Sequence, residues 1–380
     1  MLIIIRFISI FTLLFFSFTV YCSAISEPSL SAQSAIIIDG ETNEVIYAKN
    51  AHSVRSMAST TKIMTTLIAV ESGKLDELIE IDNPPLIEGT AIGFSSGNKV
   101  TLETLCYGML LESGNDAALL TAEFLSGNEE EFSKSMNAKA RQIGMYHTNF
   151  VTASGLDDEM HYTTAYDMAL LGAYAVKNEK FTEICSSTTY KATFQTPDQT
   201  RTFYNHNRLL NSCEGVFGIK TGFTKKSGRC LVTACRRNGK TLVAVTLSAP
   251  DDWNDHKKMY SYGYSLYREV NPEIRMANII SICGAERSGV KIRCDIQPFS
   301  VNCNNKITYR ILLPENIYAP IKKNDVVGKI EFFSDDNLIF SFPILADENV
   351  HIYPDAKIYK PGFFEIFTDY IKNLFKNERK

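Results

Sequence analysis

The chain has 380 residues, of which 45% are hydrophobic and 22% are charged, and its formal net charge is −4. This composition is typical of a globular protein with a large core, and the length predicts two domains. The slightly acidic balance argues against a nucleic-acid partner, because a nucleic-acid-binding domain presents a basic face.

Residues 1–24 predict a secretory signal peptide. Arg6 is the only charge in this stretch, and Ile8 to Val20 is almost wholly apolar. Cys22-Ser23-Ala24 then resembles a small-residue cleavage site. The alternative is an uncleaved N-terminal anchor, but the apolar run is shorter than the ~20 residues that a spanning helix needs. We therefore expect a secreted protein.

Hydrophobic periodicity predicts strands at both ends of the first domain and helices between them. Ala35 to Asp39 and Glu44 to Tyr47 form a predicted β-hairpin. Apolar residues recur at helical spacing from Ser59 to Gly73 and from Leu102 to Leu125, and Ser113-Gly114-Asn115 interrupts the second of these helices.

Three further strands and a helix are predicted to complete this domain. The strands are Val216 to Lys220, Cys230 to Arg236 and Thr241 to Leu247, with a hairpin signal at Asn238-Gly239. Asp255 to Arg268 then has a helical pattern. The simplest closure pairs the first strands with the last ones, which gives an α+β domain over 30–270.

The last hundred residues differ from the first domain in their pattern of apolar and polar residues. Short alternating runs separated by turn residues predict a small all-β domain over 275–358. Residues 361–380 carry apolar side chains at helical spacing and end with a basic cluster. This pattern is typical of an amphipathic helix lying in a membrane surface. The alternative is a helix that docks on the β domain.

The cysteines and histidines do not indicate a metal site. None of the eight cysteines after Cys22 forms a C-x-x-C pair, and no His-Glu-x-x-His motif occurs. We expect mostly buried free thiols rather than disulfides. Cys230 and Cys235 lie an odd number of residues apart in one predicted strand, so they should face opposite sides of it.

Three short motifs follow one another along the chain: Ser59-Thr60-Thr61-Lys62, Ser113-Gly114-Asn115 and Lys220-Thr221-Gly222. Ser-x-x-Lys and Ser-Gly-Asn each occur three times, so context must select among the copies. The selected copies fall at a predicted helix start, helix break and strand end. Residues three apart on a helix share a face, so Lys62 can reach the Ser59 hydroxyl. The free N–H groups of the helix start can stabilise an oxyanion.

A competing motif is Gly93-Phe94-Ser95-Ser96-Gly97, which matches the G-x-S-x-G nucleophile elbow. That elbow requires a strand before it and a helix after it. Here Pro84-Pro85 and Gly89 precede it, and Asn98 follows. We therefore expect a loop at Ser95 and not a Ser–His–Asp hydrolase.

With the three motifs in order, the chain resembles the low-molecular-mass penicillin-binding proteins, which are serine-type D-alanyl-D-alanine carboxypeptidases of peptidase family S11. The resemblance extends to Ser154-Gly155-Leu156-Asp157, Asn205-His206-Asn207 and Ala249-Pro250-Asp251-Asp252. It implies a β-lactamase/transpeptidase-like domain, an antiparallel sheet flanked by helices, followed by the small β domain and the terminal helix. It also implies a location on the outer face of the bacterial cytoplasmic membrane, where the terminal helix would contact the membrane surface.

The resemblance implies a mechanism without metal or organic cofactor. Ser59 would attack the carbonyl between the two terminal D-alanines of a peptidoglycan stem peptide, Lys62 would take its proton, and Ser113 would relay a proton to the leaving amine. Burial and the Lys220 charge would lower the pKa of Lys62. β-Lactams would acylate the same serine. The implied substrate-binding residues are Asn115, Lys220, Thr221, Gly222 and Phe223.

Two other functions use similar motifs. A class A β-lactamase typically adds a Glu-x-x-Leu-Asn sequence, which is absent between Asn115 and Lys220. A catalytically inactive homologue would bind peptidoglycan without cutting it, but the motif residues are all intact. Some relatives also place an arginine after the last sheet strand to bind the substrate carboxylate. Pro250 to His256 contains none, so either Lys220 with Thr221 suffices or Arg229 reaches the site.

Overall fold

A computed structural model describes residues 26–195, 198–303, 306–334 and 336–353. The predicted signal peptide (1–24) and terminal helix (361–380) lie outside these residues. The chain divides into two compact units, the first ending at Leu266 and the second beginning at Tyr267. No helix among the described residues is long and apolar enough to cross a membrane.

The first unit combines helices with one five-stranded sheet and two short hairpins. In chain order its elements are β1 Ser34–Asp39, β2 Val45–Lys49, α1 Lys62–Glu71, β3 Leu78–Ile81, β4 Asn98–Thr101, α2 Leu102–Leu110, α3 Asn115–Ser126, α4 Glu129–Ile143, α5 Ala165–Ala175, α6 Glu179–Ser186, β5 Thr189–Gln195, β6 Asp198–Tyr204, β7 Val216–Thr224, β8 Gly228–Arg237, β9 Lys240–Leu247 and α7 Asp252–Ser265. Two 3₁₀ turns, Ala58–Thr61 and Arg208–Asn211, complete it.

The main sheet is antiparallel with strand order β2-β1-β9-β8-β7, so the first strands pair with the last ones as predicted. A β-carbon on Gly172 of α5 would come within 2.9 Å of Val243, and one on Gly263 of α7 within 2.9 Å of Leu242. Consecutive strand residues point to opposite faces. The two helices therefore cover opposite faces of the sheet, which explains why β9 is a nearly continuous apolar run.

The two small hairpins, β3–β4 and β5–β6, were not predicted. Their strands are short, and β3 shows this: Leu78-Ile79-Glu80-Ile81 alternates exposed and buried positions over only four residues, and three of the four are apolar. Such short runs carry a weak strand signal. The eight described cysteines are free thiols, as predicted, but only four of them are buried, so the expectation of mostly buried thiols holds for half of them.

The described part of the second unit is all-β, as predicted. Its strands are β10 Tyr267–Val270, β11 Ile279–Cys283, β12 Gly289–Cys294, β13 Phe299–Asn302, β14 Ile307–Leu312, β15 Asn316–Tyr318, β16 Val326–Ser334 and β17 Asn337–Ala346. Six of them form a sheet in the order β14-β16-β17-β12-β11-β15, and β10 pairs with β13. Alternate residues such as Ile330 and Phe332 face the core of this unit, together with Ile344 and Phe299.

Candidate active site

Ser59 lies in the 3₁₀ turn Ala58–Thr61, which leads directly into α1 at Lys62. The helix predicted to begin at Ser59 therefore starts with a tighter turn. Side chains three apart eclipse one another in a 3₁₀ turn. This geometry places the Lys62 side chain over the Ser59 hydroxyl, as the spacing predicted.

The Lys62 amine is buried and has three oxygen partners. Its Nζ lies 3.0 Å from Ser59 Oγ, 2.7 Å from Asn115 Oδ1 and 2.7 Å from the Ser154 carbonyl oxygen. The Asn115 amide is oriented by its own NH₂ group, which donates to the Glu88 carbonyl. Asn115 Oδ1 and the Ser154 oxygen can only accept, so a neutral Lys62 donates to both and turns its lone pair toward Ser59.

The surroundings of Lys62 favour this neutral form. Burial lowers the pKa of Lys62 well below its ordinary value, and the nearby Lys220 charge lowers it further, while Asp116 acts in the opposite direction. An amine of depressed pKa beside a hydroxyl is the arrangement that a serine nucleophile needs for activation.

The second motif connects α2 to α3. Ser113 has a left-handed backbone, with φ +66°, and lines the same cleft as Ser59. Asn115 begins α3, and its backbone N–H donates to Thr90. The Asp116 carboxylate then accepts hydrogen bonds from the backbone N–H groups of Ile92 and Gly93, each at 2.8 Å. Asp116 thus fastens the loop that carries Thr90 to the start of α3.

The third motif lies within β7, not at its end as predicted. β7 continues through Phe223 and Thr224, which pair with Arg229 and Gly228 of β8. The strand thus extends four residues beyond Lys220, the predicted end, because Thr221 to Thr224 pair with β8. Close packing explains why a glycine occupies position 222, since a β-carbon on Gly222 would come within 3.1 Å of the Thr60 backbone nitrogen.

Lys220, which precedes Thr221 in β7, is buried. Among the residues that the structure describes, its Nζ has no hydrogen-bond partner. Burial lowers the pKa of Lys220 to about 7, and the Glu112 carboxylate acts in the opposite direction. A buried amine without a partner is costly, so the position favours an anionic ligand.

The structure brings the predicted site residues together. Ser59, Ser113, Thr221, Gly222 and Phe223 line one cleft of about 320 Å³. Lys62 and Asn115 are joined to Ser59 by the contacts given above, and Lys220 is buried next to Thr221 in β7. The other lining residues are Thr90, His206, Arg208, Arg229, Asp252 and Trp253.

Arg229 reaches the cleft, but its guanidinium is already paired. Its Nε and Nη2 donate to Asp252 Oδ1 at 3.0 and 2.9 Å, and the group lies over the Trp253 ring. Asp252, Asp116 and the Ser154 carbonyl were not predicted as site groups. Their letters lie within the segments that carried the resemblance, but their roles depend on contacts between residues far apart in the chain.

The competing motifs are not part of this cleft. Gly93 to Gly97 forms a loop before β4, so the nucleophile-elbow alternative is wrong. Ser96 donates to the Asp82 carbonyl, and Lys99 pairs with Glu80. Within the described ranges, no cluster of three His, Cys, Asp or Glu side chains is placed to hold a metal ion.

A serine hydroxyl beside a buried amine of depressed pKa, in a cleft with a second buried lysine, defines a lysine-activated serine acyl-transfer site. Residues 22–251 match the D-alanyl-D-alanine carboxypeptidase family, peptidase S11, and residues 295–351 match the C-terminal domain of penicillin-binding protein 5. The chain belongs to the D-alanyl-D-alanine carboxypeptidase family, which confirms the resemblance found in the sequence.

Individual relatives span nearly the whole chain. The D-alanyl-D-alanine carboxypeptidase DacF of Bacillus subtilis is 31% identical over 86% of this chain and 87% of its own length. DacA of Escherichia coli is 28% identical over 92% of this chain and 89% of its own length. The crystal structure of penicillin-binding protein 5 from Haemophilus influenzae is 26% identical and superposes with a TM-score of 0.60, covering 86% of this chain and 99% of that one. The predicted fold class of the described units is confirmed.

Proposed function

We propose that this protein is a serine-type D-Ala-D-Ala carboxypeptidase that removes the terminal D-alanine from peptidoglycan stem pentapeptides. The observation that carries the proposal is the 3.0 Å contact between the Ser59 hydroxyl and the buried Lys62 amine, inside a cleft large enough for a peptide end. Membership of the carboxypeptidase family supports the same substrate.

In the acylation step, Ser59 Oγ attacks the carbonyl between the two D-alanines while the Lys62 lone pair takes the hydroxyl proton. The oxyanion is stabilised by the backbone N–H groups of Ser59 and Phe223. Collapse breaks the C–N bond, and Ser113 relays the proton from Lys62 to the leaving amine, which releases D-alanine and leaves Lys62 neutral. Water then hydrolyses the Ser59 ester, with Lys62 again as the base.

Substrate binding uses the cationic side of the cleft. Asn115 holds the substrate amide, and Thr221 meets the terminal carboxylate. Lys220 supplies the positive charge, and its amine can pair with the carboxylate because it lacks a hydrogen-bond partner among the described residues. Arg229 attracts the substrate carboxylate less strongly, since Asp252 already neutralises its charge.

The decisive experiment measures D-alanine release from a pentapeptide ending in two D-alanines. We expect release by the wild-type protein and none by Ser59→Ala, and retained release by that variant would refute the nucleophile assignment. No release by a folded wild-type protein would favour the inactive, peptidoglycan-binding alternative.

A second measurement separates a carboxypeptidase from a class A-like β-lactamase. We expect penicillin to leave a long-lived adduct on Ser59, detectable by mass spectrometry, because the sequence lacks a Glu-x-x-Leu-Asn general base between Asn115 and Lys220. Rapid penicillin turnover without a lasting adduct would favour the β-lactamase.

We also propose that the protein works on the outer face of the bacterial cytoplasmic membrane, held there by residues 361–380. The amphipathic pattern and terminal basic residues of that segment support an in-plane membrane helix. Deleting Gly362 to Lys380 should release the protein from membranes while D-alanine release continues. A deletion variant that stays bound would point to the N-terminal segment as the anchor.

A further inference from the structure

His161 connects two parts of the first unit that both contact the reactive groups. The side chain is buried, with 3% of its surface exposed. Its Nε2 lies 2.8 Å from Thr61 Oγ1, and its Nδ1 lies 3.0 and 3.2 Å from the backbone nitrogens of Val151 and Thr152. Backbone N–H groups can only donate, so Nδ1 is the acceptor and Nε2 carries the ring proton.

This tautomer fixes the direction of a short hydrogen-bond chain. The Nε2–H group donates to Thr61 Oγ1, and the Thr61 hydroxyl donates to the Ala58 carbonyl at 2.8 Å. Ala58 immediately precedes Ser59 and has φ +49°, a left-handed conformation that residues with a β-carbon rarely adopt. These two hydrogen bonds therefore restrain the carbonyl of Ala58, a strained residue next to the proposed nucleophile.

Gly155 completes the restraint from the other side. A β-carbon at this position would lie 2.0 Å from the Ala58 carbonyl oxygen. The Ala58 carbonyl is thus enclosed between the Gly155 backbone and the Thr61 hydroxyl, and the turn that carries Ser59 has little freedom to move.

The second part is the segment 151–155, which His161 holds through its Nδ1 acceptor. In this segment the Ala153 carbonyl accepts from Thr65 Oγ1 at 2.6 Å, and the Ser154 carbonyl accepts from Lys62 Nζ at 2.7 Å. One imidazole therefore restrains both the turn that carries Ser59 and the segment that orients Lys62.

We propose that His161 is a positioning residue, which aligns Ser59 with Lys62 through Thr61 and through the 151–155 segment. It is not among the residues that line the cleft, so it acts on the reactive groups and not on the substrate. This inference rests on the proposed acyl-transfer function of Ser59 and Lys62.

The surroundings of His161 maintain the neutral tautomer. Burial lowers the pKa of His161 to about 4, Asp158 opposes this shift, and Lys62 adds to it. A proton on Nδ1 would face two backbone N–H donors and break both bonds. As the pH falls from 6.5, the ordinary pKa of histidine, to about 4, the unfolded chain binds the proton before the folded protein does. The stability that neutral His161 contributes is therefore lost across this pH range.

The test compares Thr61→Val, which removes the hydroxyl relay, with Thr61→Ser, which keeps it. Acylation by a fluorescent penicillin is resolved into the binding constant and the first-order acylation rate. We expect Thr61→Val to slow acylation by about ten- to a hundredfold with unchanged binding, and Thr61→Ser to stay near the wild-type rate. Equal rates for both variants, each melting like the wild type, would overturn the proposal.

Two further measurements keep the test decisive if Thr61→Val folds poorly. His161→Asn can keep an acceptor for the 151–155 segment at the position of Nδ1, but its shorter amide places no donor at the position of Nε2, from which Thr61 is reached. We expect it to slow acylation, and the Thr61→Val/His161→Asn double variant to show less than the product of the two losses. Nitrogen NMR of the histidines should find the His161 proton on Nε2 at neutral pH, and a proton on Nδ1 would overturn the inference. Failure of the wild type to be labelled at Ser59 would instead refute the proposed function.

Discussion

The two units bury different kinds of side chains. The first unit buries Lys62, Lys220 and Asp116, together with His161 and many hydroxyl groups. In the described part of the second unit, Ser334 is the one polar residue among the buried positions, and the remainder are apolar. Buried charges cost free energy unless they are paired, so their concentration in one unit indicates where binding and chemistry occur.

The buried charges of the first unit also differ from one another. Asp116 accepts three backbone hydrogen bonds, from Ile92, Gly93 and Ala117. Lys62 has three oxygen partners. Lys220 alone of these three lacks a partner among the described residues. The protein therefore supplies hydrogen-bond partners for two of these groups, and the described residues supply none for Lys220 Nζ.

The largest effect should follow from replacing Lys62, the proposed general base. In Lys62→Met the amine is lost while the volume is kept, and general-base catalysis is typically worth about 10²- to 10⁴-fold. We expect acylation by penicillin to slow by about a hundredfold to ten-thousandfold. The melting temperature should not fall much, because an apolar side chain replaces a buried amine. A variant that acylates within tenfold of the wild type would contradict the role of Lys62.

Removing the Asp116 carboxylate should have an intermediate effect. Asp116→Ala leaves three backbone N–H groups without this acceptor, and the buried one, that of Ala117, costs about 1–3 kcal/mol when it is unsatisfied. We expect a lower melting temperature and roughly tenfold slower acylation, since the loop with Thr90 is released from α3. Glu123→Ala, an exposed carboxylate on the same helix, is the matched control and should change stability by less than about 0.5 kcal/mol.

Lys220 should set an alkaline limit on reactions with anionic ligands. The pKa of Lys220 is about 7, so the charge that attracts a carboxylate disappears as the pH rises above this value. We expect the second-order rate constant for penicillin acylation to fall between about pH 7 and 9. Lys220→Arg keeps its charge and should move this decline to higher pH, and an unchanged profile would contradict the assignment.

The stability of the protein should change in the opposite sense over the same range. The folded-state pKa of Lys220 is lowered, so the folded protein loses its proton before the unfolded chain does. Between about pH 7 and the ordinary value of 10.5, the Lys220 contribution to the free energy of unfolding therefore increases with pH. Activity that declines while stability rises would distinguish this titration from general alkaline unfolding.

The sequence predicted the main sheet and the meeting of Ser59 with Lys62 because both depend on local patterns. Helical periodicity and a spacing of three residues place that pair without knowledge of the rest of the chain. Contacts between segments that are far apart in the chain could not be predicted from local patterns. The His161–Thr61 hydrogen bond joins residues one hundred positions apart. The pairing of Phe223 with Arg229 extended β7 beyond its predicted end, because a neighbouring strand and not local composition decides where a strand stops.

The smallest effect on chemistry should come from the core of the second unit. Ile330 is fully buried there, and Ile330→Ala should lower the stability of that unit by about 2–5 kcal/mol. The acylation rate at Ser59 should stay unchanged, because the buried charges and the cleft lie in the first unit. Ile219→Ala is the matched variant, since Ile219 is equally buried but precedes Lys220 in β7. It should slow acylation as well as lower stability. Equal acylation rates for the two variants would contradict the conclusion, drawn from the buried residues, that the chemistry is confined to the first unit.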